Sequence, residues 1–313
     1  MGATQQPTVA IDQVGNPVRI GGVRRLVPLA PDVTELAFAV GAGPLVIAVP
    51  AAADYPPEAA RLPHVSPSDA EAIVALAPDM VFATSAGNDP RLVGRLRGLG
   101  IRVCSMDVTS FARLAGACRL AGEVLGLPAQ GERLAQSVEE RTSRATESAR
   151  RLPLRNALLV VWWDPLIVAA PGTFHDDLLR RARLANLAPS SAGRYPRVNP
   201  EVLLDPRLDL VVAPDEPDLR AGFSRVGASA AGSRLASGAV RVIWLPADLV
   251  DRPGPRLPDA LESLVAARIE RRGSGAGGQG RARRPRSCSL GGLGAGGERA
   301  QGLGATGGGR IAP

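Results

Sequence analysis

Lysine is absent from this 313-residue chain, so all 37 basic side chains are arginines, and histidine occurs only twice, as His64 and His175. Two histidines exclude an all-histidine metal centre. Cysteine is nearly as scarce: Cys104, Cys118 and Cys288 show no CxxC spacing, so neither a disulfide framework nor a thiolate metal site follows. No apolar run approaches the ~18 residues of a membrane helix. The opening, MGATQQPTVAIDQVGNPV, lacks the basic-then-apolar layout of an export signal, and a chain read literally from this start is cytosolic. The motifs GxxxxGK[ST], GxSxG and HExxH are all missing. The nearest phosphate-loop candidate, VGAGPL around Gly41 and Gly43, follows a helical pattern where a strand is required. His175, beside Asp176 and Asp177 in GTFHDDLL, could form a general-base constellation, but Thr173 followed by two acids fits the capped first turn of a helix better. No catalytic residue is assigned, and no metal-ligating set.

A hydrophobic content of 45% and a mean hydropathy of +0.05 suit a globular chain long enough for two lobes. The net charge of +7 suggests nucleic acid until it is located. From Arg271 onward there are eight arginines and one acid, which leaves 29 of each in residues 1–270. The basic excess therefore belongs to the end of the chain, and the folded body calls for no nucleic-acid partner. That end holds 15 glycines in 43 residues and no apolar period, the composition of a disordered tail. Its RARRPR run offers contacts to nucleic acid or anionic lipid, but the segment reads as an extension outside the fold.

What is present is alternation. Short branched-aliphatic runs at Arg24–Ala30, Leu45–Val49, Met80–Thr84 and Ile101–Asp107, then Ala157–Trp163, Leu166–Ala170, Leu208–Pro214 and Val240–Pro246, are separated by helical patterns such as VTELAFAVG and RLVGRLRGLG. Strands alternating with helices imply an α/β fold with parallel sheets covered on both faces. Between the halves, Pro128–Leu152 carries a thin apolar stripe (Leu134, Val138, Ala145, Ala149, Leu152) and the i to i+4 pairs Glu140/Arg144 and Glu147/Arg151. From Gly131 to Leu152 such a helix is about 33 Å long at ~1.5 Å per residue. It reads as a rigid strut between two Rossmann-like lobes. The organisation expected is an extension over 1–19, a first lobe over 20–127, the linking helix over 128–152, a second lobe over 153–270 and a tail over 271–313.

The halves also echo each other. EAIVALAPDMVFA places Glu71 eight residues before Asp79, and EVLLDPRLDLVVA places Glu201 eight residues before Asp209. An acid at a helix N-terminus is favoured by the helix dipole, which is sufficient reason for either glutamate alone. Two at matching places would set one carboxylate on each lobe, within reach of a partner with two basic sockets. The few aromatics gather near strand ends and turns: Tyr55 in ADYPPEA, the adjacent Trp162 and Trp163, Tyr195 in GRYPRV, and Trp244. Neighbouring side chains on a strand point to opposite faces, so at most one of the two adjacent tryptophans can enter a given core. Open α/β sheets bind ligands at strand C-terminal ends, and Tyr55 and Tyr195, each beside proline, are the better cleft candidates.

The strings RRLVPLAPDVTELAFAVGAG, ADYPPEA and EAIVALAPDMVFAT, with WWDPLIVAAPGTFHDDLL, GRYPRVNPEVLL, LDLVVAPDEP and DLVDRPGPRL, resemble the cobalamin and iron-siderophore receptors of ABC importers, the helical-backbone metal receptors. The resemblance covers about residues 20 to 265. It implies two α/β lobes bridged by one long helix, a ligand held between them with little hinge motion, and a glutamate on each lobe docking against arginines of a membrane permease. Glu71 and Glu201 match those two positions. Tyr195 matches a cleft aromatic and Asp248, in ADLVDRPGPR, a ligand-contacting acid; Tyr55, Trp162 and Trp163 complete the expected ligand-binding set. Departures from the family lie in the first lobe, where Ala52, Thr84 and the short HVSPSD loop stand in for aromatics. The missing rings imply a smaller ligand or a second lobe that supplies most of the contact.

The leading expectation is therefore a monomeric solute-binding protein that captures a corrinoid, haem-like or ferric-siderophore ligand, with no covalent cofactor, and presents it to an ABC permease and ATPase outside the cytoplasm. A cytoplasmic corrinoid or metal-chelate sensor or store without a transporter stands second, and an α/β enzyme third.

Overall fold

The structure, a computed structural model, describes residues 8–190, 193–226 and 229–270. The expected tail and its basic run lie outside the described residues.

The described chain opens with an antiparallel pair, β1 (Val9–Ile11) and β2 (Pro17–Arg19), followed by β3 (Leu26–Pro28), α1 (Pro31–Ala39), α2 (Ala70–Ala75), β4 (Met80–Thr84), α3 (Pro90–Gly98), β5 (Val103–Met106) and α4 (Phe111–Leu125). Local chemistry sets these helix ends. Pro31 occupies the first turn of α1 with Asp32 beside it. The Ser110 hydroxyl accepts from the Arg113 amide at the start of α4, which Gly126 ends at φ 76°. The sheet order is β3-β4-β5, all parallel. The run Leu45–Val49 reaches this sheet only through a single bridge from Val46 to Leu26, while Val49 bridges His64 outside it. Pro44 and Pro50 flank it and supply no amide hydrogen to extend a ladder.

Helix α5 (Pro128–Ala149) is the expected long connector. It begins against α4 at a contact of two glycines: a Cβ on Gly122 would stand 2.7 Å from Gly131 Cα. Its buried stripe is Gly131, Ala135, Val138, Thr142, Ala145 and Ala149. Small residues thus take over from Leu134, which is half-buried, because the neighbouring helices approach too closely for a leucine row. The polar face is tied sideways: Arg119 of α4 reaches Glu132 at 2.8 Å and Glu139 at 2.7 Å, while Arg141 reaches Glu262 at 2.7 Å and also Asp259. The strut is packed against its neighbours and shares one apolar cluster with both sheets.

After α5 come β6 (Arg155–Trp162), β7 (Ile167–Val168), α6 (Phe174–Arg181), β8 (Leu184–Asn186), a 3-10 turn at Pro200–Leu204, β9 (Leu210–Pro214), α7 (Pro217–Arg225), α8 (Ala230–Ala236), β10 (Arg241–Leu245), α9 (Ala247–Val250) and α10 (Leu257–Ile269). The order is β10-β9-β6-β7, with β8 paired to the first part of β6. All these pairings are parallel except β6 with β7. The two main sheets are parallel as expected, and only this pair in them departs from the pattern: so few residues separate β6 from β7 that they can close a hairpin but not a crossover. Side chains alternate between two layers as a doubly covered sheet requires. Met80 and Phe82 of β4, and Ala157 and Leu159 of β6, join the cluster around α4, α5 and α10, whereas Val81 and Ala83, and Leu158 and Val160, enter separate outer cores.

The internal echo is structural. The Asp69 carboxylate accepts from the Glu71 amide at 3.0 Å, and the Asn199 side chain accepts from the Glu201 amide at 3.0 Å. Asp79 Oδ2 accepts from the Arg25 amide at 3.0 Å, while the Asp79 amide donates back to the Arg25 carbonyl at 2.8 Å. Asp209 makes the same exchange with Asn156, at 2.8 and 3.1 Å. Each aspartate pins the start of the neighbouring strand.

Candidate functional site

The C-terminal ends of the strands in both sheets lead into the seam between the lobes. From the first lobe come Glu35 on α1, the Ala52–Tyr55 turn and Asp107 after β5; from the second come Asp248 on α9, Arg252, Arg256, Tyr195 and His175. Asp-Arg-Pro-Gly-Pro-Arg, residues 251–256, turns tightly and carries its two arginines over α1. An added Cβ at Gly254 would lie 3.4 Å from both the Asp32 carbonyl oxygen and Glu35 Oε2, which measures how closely the two lobes meet.

Arginines on the second lobe reach acids on the first. Arg256 grips the buried Glu35 carboxylate with two nitrogens, at 2.9 and 2.6 Å, and contacts Asp248 at 2.5 Å. This fork geometry is the strong mode of guanidinium recognition. The Arg256 guanidinium also lies 3.9 Å from the centre of the Tyr55 ring. Arg252 bonds Asp54 at 2.6 Å and the Ala52 carbonyl at 3.2 Å, and stands 3.6 Å from Glu35. Further along the seam, Arg194 stands 3.5 Å from Asp107, which also accepts from the Ser85 hydroxyl. Tyr55 and Asp248, named from sequence, are thus brought together through Arg256.

Tyr195 is partly exposed, with its hydroxyl directed at His175 Nδ1 at 3.3 Å and its ring edge-on to the imidazole at 5.8 Å. His175 Nε2 lies 2.9 Å from the Val250 carbonyl. A carbonyl only accepts, so Nε2 carries the hydrogen and Nδ1 accepts from the tyrosine. Burial drives the imidazole pKa down to about 3, and burial pushes the Tyr195 phenol up to about 12. Both groups are neutral spacers near pH 7. Asp251, exposed at the seam, has its carboxyl raised to about 7, first by desolvation from the surrounding protein and then by the charge of Glu216. Asp32, buried in the first turn of α1, is raised by desolvation to about 6, against a lowering hydrogen bond from Thr84. The Thr173 hydroxyl accepts from the Asp176 amide as an N-cap, with Asp176 and Asp177 in the first turn of α6. The two acids are therefore helix-start groups, while His175 is turned to Tyr195.

The two adjacent tryptophans separate. Trp163 packs on Phe223 at 4.7 Å between ring centres and covers Gly222, where a Cβ would fall 2.1 Å from the indole Cγ. Trp244 meets Phe223 edge-on at 5.5 Å, under the Arg220 guanidinium at 4.5 Å. Trp163 and Trp244 therefore belong to the outer core of the second lobe. Trp162 is half-buried, with its indole nitrogen donating to the Asp164 carbonyl at 2.9 Å. Strict alternation along β6 would send Trp162, not Trp163, toward the core that holds Leu158 and Val160. A register shift between Val160 and Trp162 reverses the parity.

Glu71 and Glu201 are both exposed at the starts of their turns, and Glu71 stands 3.5 Å from Arg95. Glu35, Arg252 and Arg256 are the seam residues that motif reading passed over. The signal was a pair of arginines four apart around a Pro-Gly-Pro turn. Among the described residues no group of histidine, cysteine, aspartate and glutamate is arranged to hold a metal ion, and no helix is long and apolar enough to cross a membrane.

Comparison with known proteins adds the following. The sequence profile of the periplasmic binding protein family matches residues 26–220. The vitamin B12-binding protein of Vibrio cholerae serotype O1 is 28% identical over 245 residues, 77% of this chain and 87% of that protein. The vitamin B12-binding protein of Salmonella paratyphi A is 33% identical over 192 residues, 60% of this chain and 71% of that protein. Among solved structures, the periplasmic vitamin B12 binding protein of Vibrio cholerae superposes with a TM-score of 0.70 at 26% identity, over 78% of this chain and 96% of that one. The periplasmic heme-binding protein from Roseiflexus sp. RS-1, in apo form, gives 0.70 at 28% identity, over 80% and 99%.

Proposed function

Because the chain belongs to the periplasmic binding protein family, we propose that it captures a corrinoid or haem-like metal chelate, or a ferric siderophore, between two lobes spanning 20–127 and 153–270, and delivers it to an ABC importer. Its relatives are binding proteins rather than enzymes. The observation that carries the reading is the convergence of Tyr55, Arg256 and Asp248 from both lobes at the strand C-terminal ends, with Tyr195 further along the seam. Tyr55 and Tyr195 supply apolar faces, and Asp248 and the arginines supply polar anchors, the mixture expected of a ligand cleft. Trp162 borders the ligand or supports its wall; Trp163 acts as packing beneath α7. The protein works outside the cytoplasm as a monomer, and the chelate is held without a covalent bond.

Glu71 and Glu201 are the docking carboxylates, one on each lobe. Their matched caps give them equivalent poses, and their exposure leaves both available to arginines of a permease.

Titration of the full chain with cyanocobalamin, haem and a ferric hydroxamate, followed by tryptophan fluorescence, tests the ligand class. One of the three should quench saturably at micromolar concentration, and Tyr195→Ala should weaken that response about tenfold, consistent with loss of one ring's burial and contacts. Silence with all three ligands would overturn the proposal. Reversing both docking charges, Glu71→Arg with Glu201→Arg, should abolish ligand delivery in reconstituted vesicles and leave affinity unchanged; a loss of affinity would put these residues elsewhere.

A further inference from the structure

The echo between the lobes extends past the two glutamates. Glu71-Ala72-Ile73-Val74 and Glu201-Val202-Leu203-Leu204 repeat one order of exposure: the acid open, the next residue half-buried, the third buried, the fourth open again. Ile73 and Leu203 enter the outer cores of their lobes and hold the two segments down. Val74 and Leu204 are left 39% and 40% exposed. Helical winding sets each of them beside its acid. The first segment belongs to α2, at about 3.6 residues per turn, and the second to the 3-10 turn at Pro200–Leu204, at about three, and in either winding the residue three places on returns to the side of the first.

The far end of each segment is held in the same way. Arg25 donates to the carbonyls of Leu76 at 2.7 Å and Ala77 at 3.1 Å, and Arg234 to those of Leu203 at 2.9 Å and Asp205 at 2.6 Å. A side-chain cap before and a guanidinium after fix both segments, and with them the places of their exposed side chains. A single aliphatic in solvent calls for no explanation. Two at the same step from two matched carboxylates do, because only ten large apolar side chains are exposed among the described residues. The acids themselves differ in one respect. Glu71 stands 3.5 Å from Arg95, with both side chains mostly in solvent, whereas no ion pair engages Glu201 among the described residues. A long, solvated pair exchanges readily for a shorter one, so neither acid is withheld.

An arginine carries its charge on an apolar methylene stem. A carboxylate with an aliphatic neighbour on the same side fits both parts: the acid takes the guanidinium, and the aliphatic lies along the stem and excludes water from the pair. Resting on the docking role proposed for Glu71 and Glu201, we infer that Val74 and Leu204 are docking residues too. Each lobe presents the permease with a two-part contact, Glu71 with Val74 and Glu201 with Leu204, shaped for an arginine whose stem becomes covered.

The test is binding of the full chain to its ABC permease and ATPase complex in lipid nanodiscs, measured by surface plasmon resonance at about 0.1 M and about 1 M salt, where the Debye length falls from ~10 to ~3 Å. Val74→Ser with Leu204→Ser should weaken binding at least tenfold at the lower salt and abolish what the wild type retains at the higher, with thermal midpoint and ligand affinity unchanged. Leu154→Ser, at an exposed aliphatic just before β6, should alter nothing. If Leu204→Ser lowers the midpoint, the isosteric Val74→Thr is read alone and should still weaken binding severalfold. Full binding by the serine variant, or equal weakening by Leu154→Ser, overturns the apolar contact. In that event Glu71→Arg with Glu201→Arg still abolishes binding if the glutamates dock, whereas binding that survives the charge reversal overturns the docking role itself, so the two failures are distinguishable.

Discussion

The two lobes share a frame and differ in what fills it. Asp79 and Asp209 exchange hydrogen bonds with equivalent strand starts, and Glu71 and Glu201 follow equivalent side-chain caps. The first lobe, however, brings one aromatic, Tyr55, to the seam. The second keeps Trp163, Phe223 and Trp244 in an outer core, places Tyr195 on His175, and carries the arginines that reach across. Pinning a strand start needs a short acid in a fixed place, so both lobes retain one. Filling a face needs only volume and paired polar groups, so the lobes are free to diverge there. The seam joins them asymmetrically, with acids from one side and guanidinium groups from the other.

That asymmetry can be broken most severely at Glu35. Its carboxylate is buried between Arg256 and Arg252, and Glu35→Ala leaves two partly buried guanidinium groups without it. A loss of about 3–5 kcal/mol is expected from removing one partner of a buried pair, measured by urea unfolding; a loss below about 1 kcal/mol would mean that water already screens the cluster. Next comes the aromatic packing found in the outer core of the second lobe and not in that of the first. Gly222→Ala forces Trp163 off Phe223, with an expected cost of about 1–3 kcal/mol for overpacking and a change in tryptophan emission. An unchanged emission spectrum would show that the indole has room to shift.

The effect of the His175 spacer is absent at neutral pH and appears only in acid. Its folded pKa, about 3, lies below the ordinary value of 6.5, so below pH 6.5 the unfolded chain binds a proton that the folded one refuses. Stability from this group is complete above pH 6.5 and is lost as pH falls from there toward 3. His175→Phe should flatten the dependence of unfolding free energy on pH in that window. An unaltered slope would assign the acid sensitivity to carboxylates instead.

The strand runs and the long polar helix were legible because period and composition report burial directly. Met80–Thr84 is a strand as read, and Pro128–Ala149 is a helix with its end three residues early. The Leu45–Val49 run has the right composition but proline at each border, and hydrogen-bond supply outweighed composition. The seam was only half legible. Tyr55, Tyr195 and Asp248 stood in recognisable turns, but the Glu35 partnership joins residues 221 positions apart, a distance over which no local pattern carries information. Trp162 and Trp163 were indistinguishable in sequence because a single register shift exchanges their faces.

Sequence alone determined the alternation of strand and helix, the paired acids at matching intervals and the location of the basic excess, since each follows from local spacing or from simple counting. Tertiary structure alone decided which tryptophan enters the core and which arginine meets which acid across the seam. Those outcomes depend on close approach between segments far apart in the chain, where a few tenths of an ångström determine whether a backbone carbonyl, a ring or open space lies beside a charge.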